Sequence, residues 1–137
     1  DQIGFNYRMT NLQAAIGCAQ LERIDTIIEE HKQIELNSKK ELSDTKHIQW
    51  QTEFDNSEKV VWLVAATVSE EKRGEVMTRL KENNIDVRPF FYCLSEMPIY
   101  KDYATECVAS REVSNVGINL PTIKEMDYVL IKRILKF

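Results

Sequence analysis

Apolar and polar positions follow helical spacing in the first part of the chain. Residues 12–19 are almost wholly apolar and many of them are small, which predicts a helix that is buried on all sides. After Leu21 the pattern becomes amphipathic and charged, and this predicts a helical continuation with His31 on its solvent face. One helix over residues 11–42 would be about 48 Å long. A break is therefore expected near Asp25, where Thr26 and Glu29 have the spacing of a capping box.

The middle of the chain switches to strand-like patterns. Residues 60–68 are a continuous apolar run rich in β-branched residues, which predicts a central strand buried on both faces. The alternation at residues 48–50 predicts an edge strand. Ser69 is expected to begin a helix with acidic residues in its first turn, and Asn83 and Asn84 are expected to end it. Another strand is expected to start at residues 85–88.

The last third predicts a short helix over residues 105–115, a strand at Gly117–Leu120 and a final helix. Thr122 and Glu125 have the spacing of a capping box for that helix. Its buried stripe is expected to comprise Met126, Val129, Leu130, Ile134 and Phe137. The fold class expected from this order is α/β, or α+β, with a long helix followed by a small sheet that carries helices on one side.

Composition and charge narrow the range of partners. A chain of 137 residues with 43% hydrophobic residues is long enough for a real core. The net charge of −4 and the lack of a basic cluster argue against nucleic acid and anionic membranes. The longest apolar run is too short to span a bilayer. The three cysteines are scattered, which is typical of free thiols in a reducing cytoplasm, and cytoplasmic localisation is expected.

Several kinds of chemistry are poorly supported. The four glycines are far apart, which excludes a glycine-rich phosphate loop, and the two histidines lie on polar segments, which argues against a metal site or a catalytic triad. Cys93 is a candidate nucleophile, but the nearest cation in sequence is Arg88. We therefore interpret Cys93 as a small buried hydrophobic residue.

Two segments carry candidate binding residues. Thr10 and Gln13 form a capping box that attaches a polar loop to a helix, and Asn6 and Arg8 of this loop could present an amide and a guanidinium to an anion. The residues alone favour a turn at Asn6 and a surface ion pair at Arg8. The aromatic residues 90–92 fit either a core-and-edge arrangement or a wall for a flat ligand, and the pattern does not separate the two.

Three blocks of sequence resemble the DegT/DnrJ/EryC1/StrS family of pyridoxal-phosphate-dependent sugar aminotransferases. Residues 4–17 are similar to the family's Gly-Tyr/Phe-Asn-Tyr-Arg-Met loop and its Gln-Ala-Ala-Ile-Gly helix. Residues 84–100 resemble its Arg-Pro-Phe-Phe-Tyr stretch and are most similar to the perosamine-synthase-like branch. Residues 117–121 resemble a short block before the last helix. The resemblance covers essentially the whole chain from Gly4.

The resemblance implies the C-terminal part of a fold-type-I transferase that works as a homodimer. It implies that residues 1–24 form an interface loop and the end of a large domain, and that residues 25–137 form a small domain. The implied cofactor is pyridoxal 5'-phosphate (PLP). The implied reaction transfers an amino group from glutamate to a nucleotide-linked keto-sugar, in surface polysaccharide or deoxyaminosugar biosynthesis.

The resemblance also assigns roles to individual residues. Asn6 and Arg8 are implied to bind the cofactor. The residues implied to lie on the substrate side are Arg88, Phe91, Tyr92 and Ser95. Cys93 stands where the family usually has proline, and Ser95 stands where histidine is common, so the role of that histidine does not carry over.

The family's catalytic lysine precedes the matched stretch, and the lysines of this chain lie outside that motif. No catalytic residue is therefore assigned, and the chain alone is expected to show neither cofactor absorbance nor transaminase activity. Two alternatives stay open. One is a non-catalytic interaction module on the same scaffold, and the other is a PLP-dependent sugar dehydratase in which histidine replaces the lysine.

Overall fold

The computed structural model describes residues 4–136. Two helices come first, α1 (Asn11–Leu21) and α2 (Ile24–Glu41), and the strands β1 (Gln49–Trp50) and β2 (Val64–Thr67) follow. Next are α3 (Glu70–Glu82), β3 (Arg88–Pro89) and two 3₁₀ helices, Leu94–Glu96 and Pro98–Tyr103. The described part ends with α4 (Val108–Val116), β4 (Gly117–Leu120) and α5 (Tyr128–Leu135). No helix within residues 4–136 combines the length and the apolar composition needed to cross a bilayer.

The four strands form one antiparallel sheet in the order β1-β2-β4-β3. Val64 pairs with Leu120 and Ala66 with Ile118, so these four side chains share one face of the sheet. All four are at most 2% exposed, and they form a single core with buried residues of three helices. The helical residues in that core are Ile34 of α2, Val76 and Leu80 of α3, and Ile131, Ile134 and Leu135 of α5. The expected small sheet with a helical layer is confirmed.

The first helix breaks where a break was expected, although by a different device. α1 ends at Leu21 and α2 begins at Ile24, with Arg23 as an N-cap that makes no side-chain capping bond. The predicted capping box at Thr26 is wrong, because Thr26 lies inside the first turn of α2. The capping box at Thr10 and Gln13 is confirmed, since each side chain bonds the other residue's backbone amide.

The predicted burial of α1 is wrong for this chain. None of its residues is buried, and Leu12 is 80% exposed and Ile16 65% exposed. Its apolar composition is not matched by a covering surface within residues 4–136. This helix therefore differs from α2, α3 and α5, each of which places side chains in the core.

The predicted central strand is shorter than its apolar run. Only Val64–Thr67 forms a strand, and buried and half-buried residues alternate along it. Val61 is 5% exposed whereas its neighbour Trp62 is 66% exposed, so the run is not buried on both faces. A run of apolar letters does not distinguish a doubly buried strand from one with an open aromatic face.

The predicted start of the last helix is also wrong. α5 begins at Tyr128, and the Asp127 side chain accepts a hydrogen bond from the Leu130 amide at 2.8 Å. Thr122 is occupied elsewhere, because its hydroxyl accepts a hydrogen bond from the Val64 amide at 3.1 Å. Val129 is 80% exposed and does not belong to the buried stripe, and Phe137 lies outside the described residues.

Smaller differences concern three other segments. β4 lies at the predicted residues, and α3 ends at its predicted asparagines, with Asn84 in the left-handed region at φ 59°. The next strand starts at Arg88 rather than at residue 85, and α4 starts at Val108 rather than at residue 105. His31 is half-buried rather than on the surface, because its Nδ1 lies 3.0 Å from the Val61 carbonyl oxygen.

Candidate functional site

The sheet face opposite the core carries polar residues and borders two grooves. Register places Ala65, Asn119 and Arg88 side by side on this open face. The Lys59 groove has a volume of about 630 Å³ and lies between Lys59, Phe90 and helix α4. The Arg88 groove has a volume of about 520 Å³ and lies between Arg88, the turn at Asn84 and residues 121–123. Both volumes are in the range of small-molecule sites.

An aromatic pair separates the two grooves. Trp62 and Phe91 line both of them, and their ring centroids lie 6.1 Å apart with an interplanar angle of 14°. Trp62 is 66% exposed and Phe91 is 73% exposed. This geometry answers the question left open by the sequence for Phe91, whose ring forms part of an exposed wall and not part of the core.

Hydrogen bonds and one close contact hold the segment that carries Phe91. The Ser114 hydroxyl donates to the Phe91 carbonyl at 2.9 Å, and the Phe90 amide donates to the Gly117 carbonyl at 3.2 Å. The Phe90 ring lies directly against Gly117, where a Cβ atom would be 2.2 Å from ring atoms. A glycine at 117 therefore allows the ring to rest on the backbone of β4.

Arg88 supplies the positive charge of the Arg88 groove. Its side chain is 77% exposed, and its Nε lies 3.4 Å from a carboxylate oxygen of the equally exposed Asp86. The Asn119 amide, which is opposite Arg88 in register, donates to the Pro89 carbonyl at 3.3 Å. Arg88 and Asn119 thus line the same groove as the aromatic pair, an arrangement suited to a ligand with a ring and an anionic group.

Lys59, the cation of the other groove, is already paired. Its ammonium group contacts the carboxylate of Glu35, whose side chain is 4% exposed. The same carboxylate lies 3.3 Å from the Lys39 ammonium group. The two grooves therefore differ in charge: the cation of the Arg88 groove faces solvent, whereas that of the Lys59 groove is 15% exposed and neutralised.

Tyr92 and Ser95 line neither groove. Tyr92 is 76% exposed, and the half-buried Ser95 places its hydroxyl 3.1 Å from the Cys93 sulfur. Cys93 itself is 7% exposed, as its interpretation as a buried hydrophobic residue required. Of the four substrate-side residues expected from the resemblance, the structure brings together only Arg88 and Phe91.

Asn6 and Arg8 form a separate group in the loop before α1. The Asn6 Oδ1 atom accepts a hydrogen bond from the Arg8 amide at 3.0 Å, so the turn expected at Asn6 is present. Both side chains are exposed, and within residues 4–136 Arg8 has no ion-pair partner, so the surface ion pair is not formed. The Asn6 amide nitrogen and the guanidinium remain as donors on one short loop.

Sequence and structure comparisons identify similar proteins. The sequence profile of the DegT/DnrJ/EryC1/StrS aminotransferase family matches residues 1–136. A GDP-perosamine synthase from Vibrio cholerae is 39% identical over 127 residues, which cover 89% of this chain and 34% of that protein. The sugar aminotransferase CalS13 from Micromonospora echinospora has the same fold, with a TM-score of 0.82, 20% identity, and coverage of 97% of this chain and 36% of its own. The chain spans about a third of the length of the curated relatives that it matches.

The family's members are PLP-dependent aminotransferases. Spr1654 from Streptococcus pneumoniae, solved in its PLP form, matches 94% of this chain and 36% of its own with a TM-score of 0.77 and 19% identity. In the present chain, the Asn6 amide and the exposed Arg8 guanidinium are hydrogen-bond donors that fit the phosphate of such a cofactor. The loop Gly4–Thr10 contains no lysine, so it offers phosphate donors and no covalent anchor.

Sequence reasoning missed Trp62, Asn119 and the Glu35–Lys59 ion pair. Trp62 was assigned to a buried strand because its neighbours are apolar. Glu35 and Lys59 are separated by 24 positions, and no local pattern signals such a pair. The sequence around Trp62 carries no signal of its exposure either, because the residues on both sides of it are apolar.

Proposed function

Because the chain belongs to the DegT/DnrJ/EryC1/StrS aminotransferase family, we propose that it is the C-terminal portion of a cytoplasmic, homodimeric sugar-nucleotide aminotransferase. The proposed reaction moves the amino group of glutamate to the carbonyl carbon of a nucleotide-linked keto-sugar. Glutamate leaves as 2-oxoglutarate, whose new carbonyl oxygen comes from a water molecule, and the carbonyl oxygen of the sugar leaves as water, so the reaction forms no net water. The observation that carries the proposal is the match over residues 1–136, together with a curated relative that is 39% identical and is named for a GDP-linked sugar.

The loop before α1 has the cofactor-binding role in this proposal. PLP, when bound, supplies the electron sink and carries the amino group between the two substrates. Asn6 and Arg8 hold its phosphate, and the Thr10–Gln13 capping box fixes the loop at the start of α1. We place residues 1–24 at the end of the large domain, beside the subunit interface. The exposed apolar side of α1 supports this placement.

The open face of the sheet has the substrate role. Arg88 and Phe91 border one groove with a cation and an aromatic ring, which suits a nucleotide-linked sugar. We place Tyr92 and Ser95 on the same side of the substrate, along the segment that leaves the groove. Ser95 is the residue at which we expect sugar preference to differ from that of relatives with histidine there.

The amino transfer itself is the direct test. The intact enzyme would be incubated with PLP, a GDP-linked keto-sugar and ¹⁵N-labelled glutamate. The sugar nucleotide would then be analysed by mass spectrometry. We expect one ¹⁵N atom in the product and an equal amount of 2-oxoglutarate. Loss of water from the sugar without incorporation of nitrogen would contradict the proposal and indicate a dehydratase.

A second test concerns Asn6. Asn6→Ala removes a phosphate donor, so we expect the dissociation constant for PLP to rise by about tenfold to a hundredfold, the equivalent of one net hydrogen bond to a charged group. Asn56→Ala changes an exposed asparagine in a distant turn and serves as the control. Equal PLP affinity of the two variants would contradict the cofactor-binding role of Asn6.

A further inference from the structure

Trp62 is a large aromatic residue in an exposed position, and packing of the core does not require it there. Its side chain is 66% exposed, yet the residue before it, Val61, is 5% exposed and anchors the segment in the protein. Trp62 stacks nearly parallel on Phe91 and extends the wall that Phe91 forms along the Arg88 groove. An exposed aromatic wall next to a cation is the arrangement on which nucleic-acid bases stack, because every base has a π face and carries a phosphate nearby.

Charge decides which groove such a ligand enters. A nucleoside diphosphate needs a cation that is free to bind oxygen atoms. In the Arg88 groove the arginine side chain is 77% exposed, and its contact with Asp86 is an exposed ion pair of little energetic weight. In the Lys59 groove the lysine side chain is 15% exposed, and its ammonium group is paired with Glu35. The anion therefore belongs on the side of Arg88.

Two side chains of helix α2, one turn apart, hold the segment that directly precedes Trp62. His31 Nδ1 bonds the Val61 carbonyl oxygen at 3.0 Å, and because a carbonyl only accepts, His31 is the donor. Glu35 binds the Lys59 ammonium. The residues before Trp62 are thus attached to α2 through the Lys59 side chain and the Val61 carbonyl. These attachments limit the positions that the indole ring can take.

We propose that Trp62 and Phe91 stack the base of a nucleoside diphosphate in the Arg88 groove, that Arg88 binds its diphosphate, and that His31, Glu35 and Lys59 position Trp62 for this contact. The proposal deepens the proposed function, since it assigns a place to the nucleotide half of the sugar nucleotide. It adds a stacking residue, Trp62, and a set of positioning residues to the substrate side.

Binding of GDP to the 137-residue chain tests the contact without requiring amino transfer. Trp50→Phe leaves Trp62 as the one tryptophan, so fluorescence then reports on Trp62 alone. We expect GDP to quench this fluorescence saturably, and we expect guanosine, which lacks the diphosphate, to bind at least tenfold more weakly. Absence of saturable quenching at millimolar GDP would overturn the proposal.

Calorimetry on variants identifies the residues involved. Trp62→Leu is expected to weaken GDP binding by about tenfold, within the range measured for base stacking on aromatic residues. Arg88→Ala is expected to remove the preference for GDP over guanosine. Phe54→Leu changes another exposed aromatic residue, which lies outside both grooves, and should leave the affinity unchanged. Equal affinities of the Trp62 and Phe54 variants would contradict stacking on Trp62.

The positioning role has a matched pair of variants. Lys59→Gln and Lys39→Gln each remove one cation from the same Glu35 carboxylate. Lys59 is three residues before Trp62, whereas Lys39 lies on α2 and has its other ion-pair contact with the more distant Glu53. We expect Lys59→Gln to weaken GDP binding severalfold and to lower the fluorescence anisotropy of Trp62, with recovery in Lys59→Arg. Lys39→Gln should change neither quantity. An equal effect of both substitutions would contradict the positioning role and indicate that the Glu35–Lys59 ion pair only stabilises the fold.

The two proposals fail separately. Amino transfer by the intact enzyme with no response of Trp62 to GDP would overturn the nucleotide site and leave the proposed function standing. GDP binding that depends on Trp62 and Arg88, in a protein that transfers no ¹⁵N, would overturn the proposed function and leave the nucleotide site standing.

Discussion

The two faces of the sheet are built from alternating residues of the same strands, and they differ in almost every property. Ile118 and Leu120 of β4 are at most 1% exposed and pack against three helices. Asn119 lies between them in sequence and faces two grooves, an aromatic pair and an exposed guanidinium. One face holds the fold together by removing apolar area from water, and the other keeps polar and aromatic groups accessible.

The difference separates the residues that hold the fold together from the residues that border the grooves. The core face depends on volume and tolerates little change, because protein interiors are close-packed. The open face presents exposed side chains to the grooves, so close packing does not limit their volume. We therefore expect substitutions on the two faces to separate into effects on stability and effects on binding.

The largest effect on stability is expected from Leu120→Ala. This substitution leaves a cavity in the core and should lower the free energy of unfolding by about 2–5 kcal/mol. Asn119→Ala is its control one position away. It removes one hydrogen bond to the Pro89 carbonyl and should cost about 0.5–1.5 kcal/mol. Urea denaturation measures both variants, and equal losses would contradict the division between the two faces.

A second pair of substitutions tests the contact between strand β4 and the ring of Phe90. In Gly117→Ala the new Cβ atom would be 2.2 Å from the Phe90 ring, so the ring must move. We expect a loss of about 1–3 kcal/mol of stability and a change in the Trp62 environment next to Phe91. The backbone at 117 has φ −78°, which alanine adopts freely, so the cost is steric.

Gly74→Ala is the matched control for that substitution. Nothing lies within 4 Å of a Cβ atom at this position of α3. Alanine should therefore raise the unfolding free energy by about 0.5–1 kcal/mol, as is usual when glycine is replaced inside a helix. A gain in stability at both glycines would show that Phe90 does not rest on β4.

The smallest expected effect concerns an ion pair at the edge of the core. The hydrogen bond from Lys132 lowers the pKa of Asp44 below its ordinary value of 3.8. A depressed carboxyl pKa stabilises the fold above the ordinary value, and this contribution is lost as the pH falls through the folded-state pKa. Asp44→Asn should thus be less stable than the wild type at neutral pH, and the difference should vanish in acid. Denaturation at several pH values measures it, and Asp55→Asn, in an exposed turn, is the control.

Local sequence signals predicted those parts of the fold that depend on neighbours in sequence. The Thr10 capping box, the end of α3 at its two asparagines and the strand Gly117–Leu120 are all local features, and they lie where they were expected. The last helix starts later than predicted because Thr122 bonds the Val64 amide. That partner is 58 positions away, and a sequence pattern contains no information about it.

The site was predicted less completely than the fold, for a physical reason. Exposed residues leave no periodic pattern, so only a family resemblance pointed to Arg88, and the pattern at residues 90–92 left the role of Phe91 open. Trp62 was missed because its neighbours in sequence are apolar, and it is the fold that turns it away from the core. The prediction that α1 is buried was wrong for this chain. An apolar composition indicates that a helix packs against another surface, but it does not indicate whether that surface belongs to the same chain.

A nitrogen-15 and proton correlation spectrum of the 137-residue chain, recorded during a titration with GDP, tests the central claim that the open face is the binding face. The account predicts saturable shifts at the Trp62 indole and at the amides of Arg88, Phe91 and Asn119. It predicts unchanged signals for Ile34, Leu80 and Ile134, whose side chains lie in the core on the far side of the sheet. Shifts that cluster on α2, α3 and α5, or the absence of saturable shifts, would contradict it.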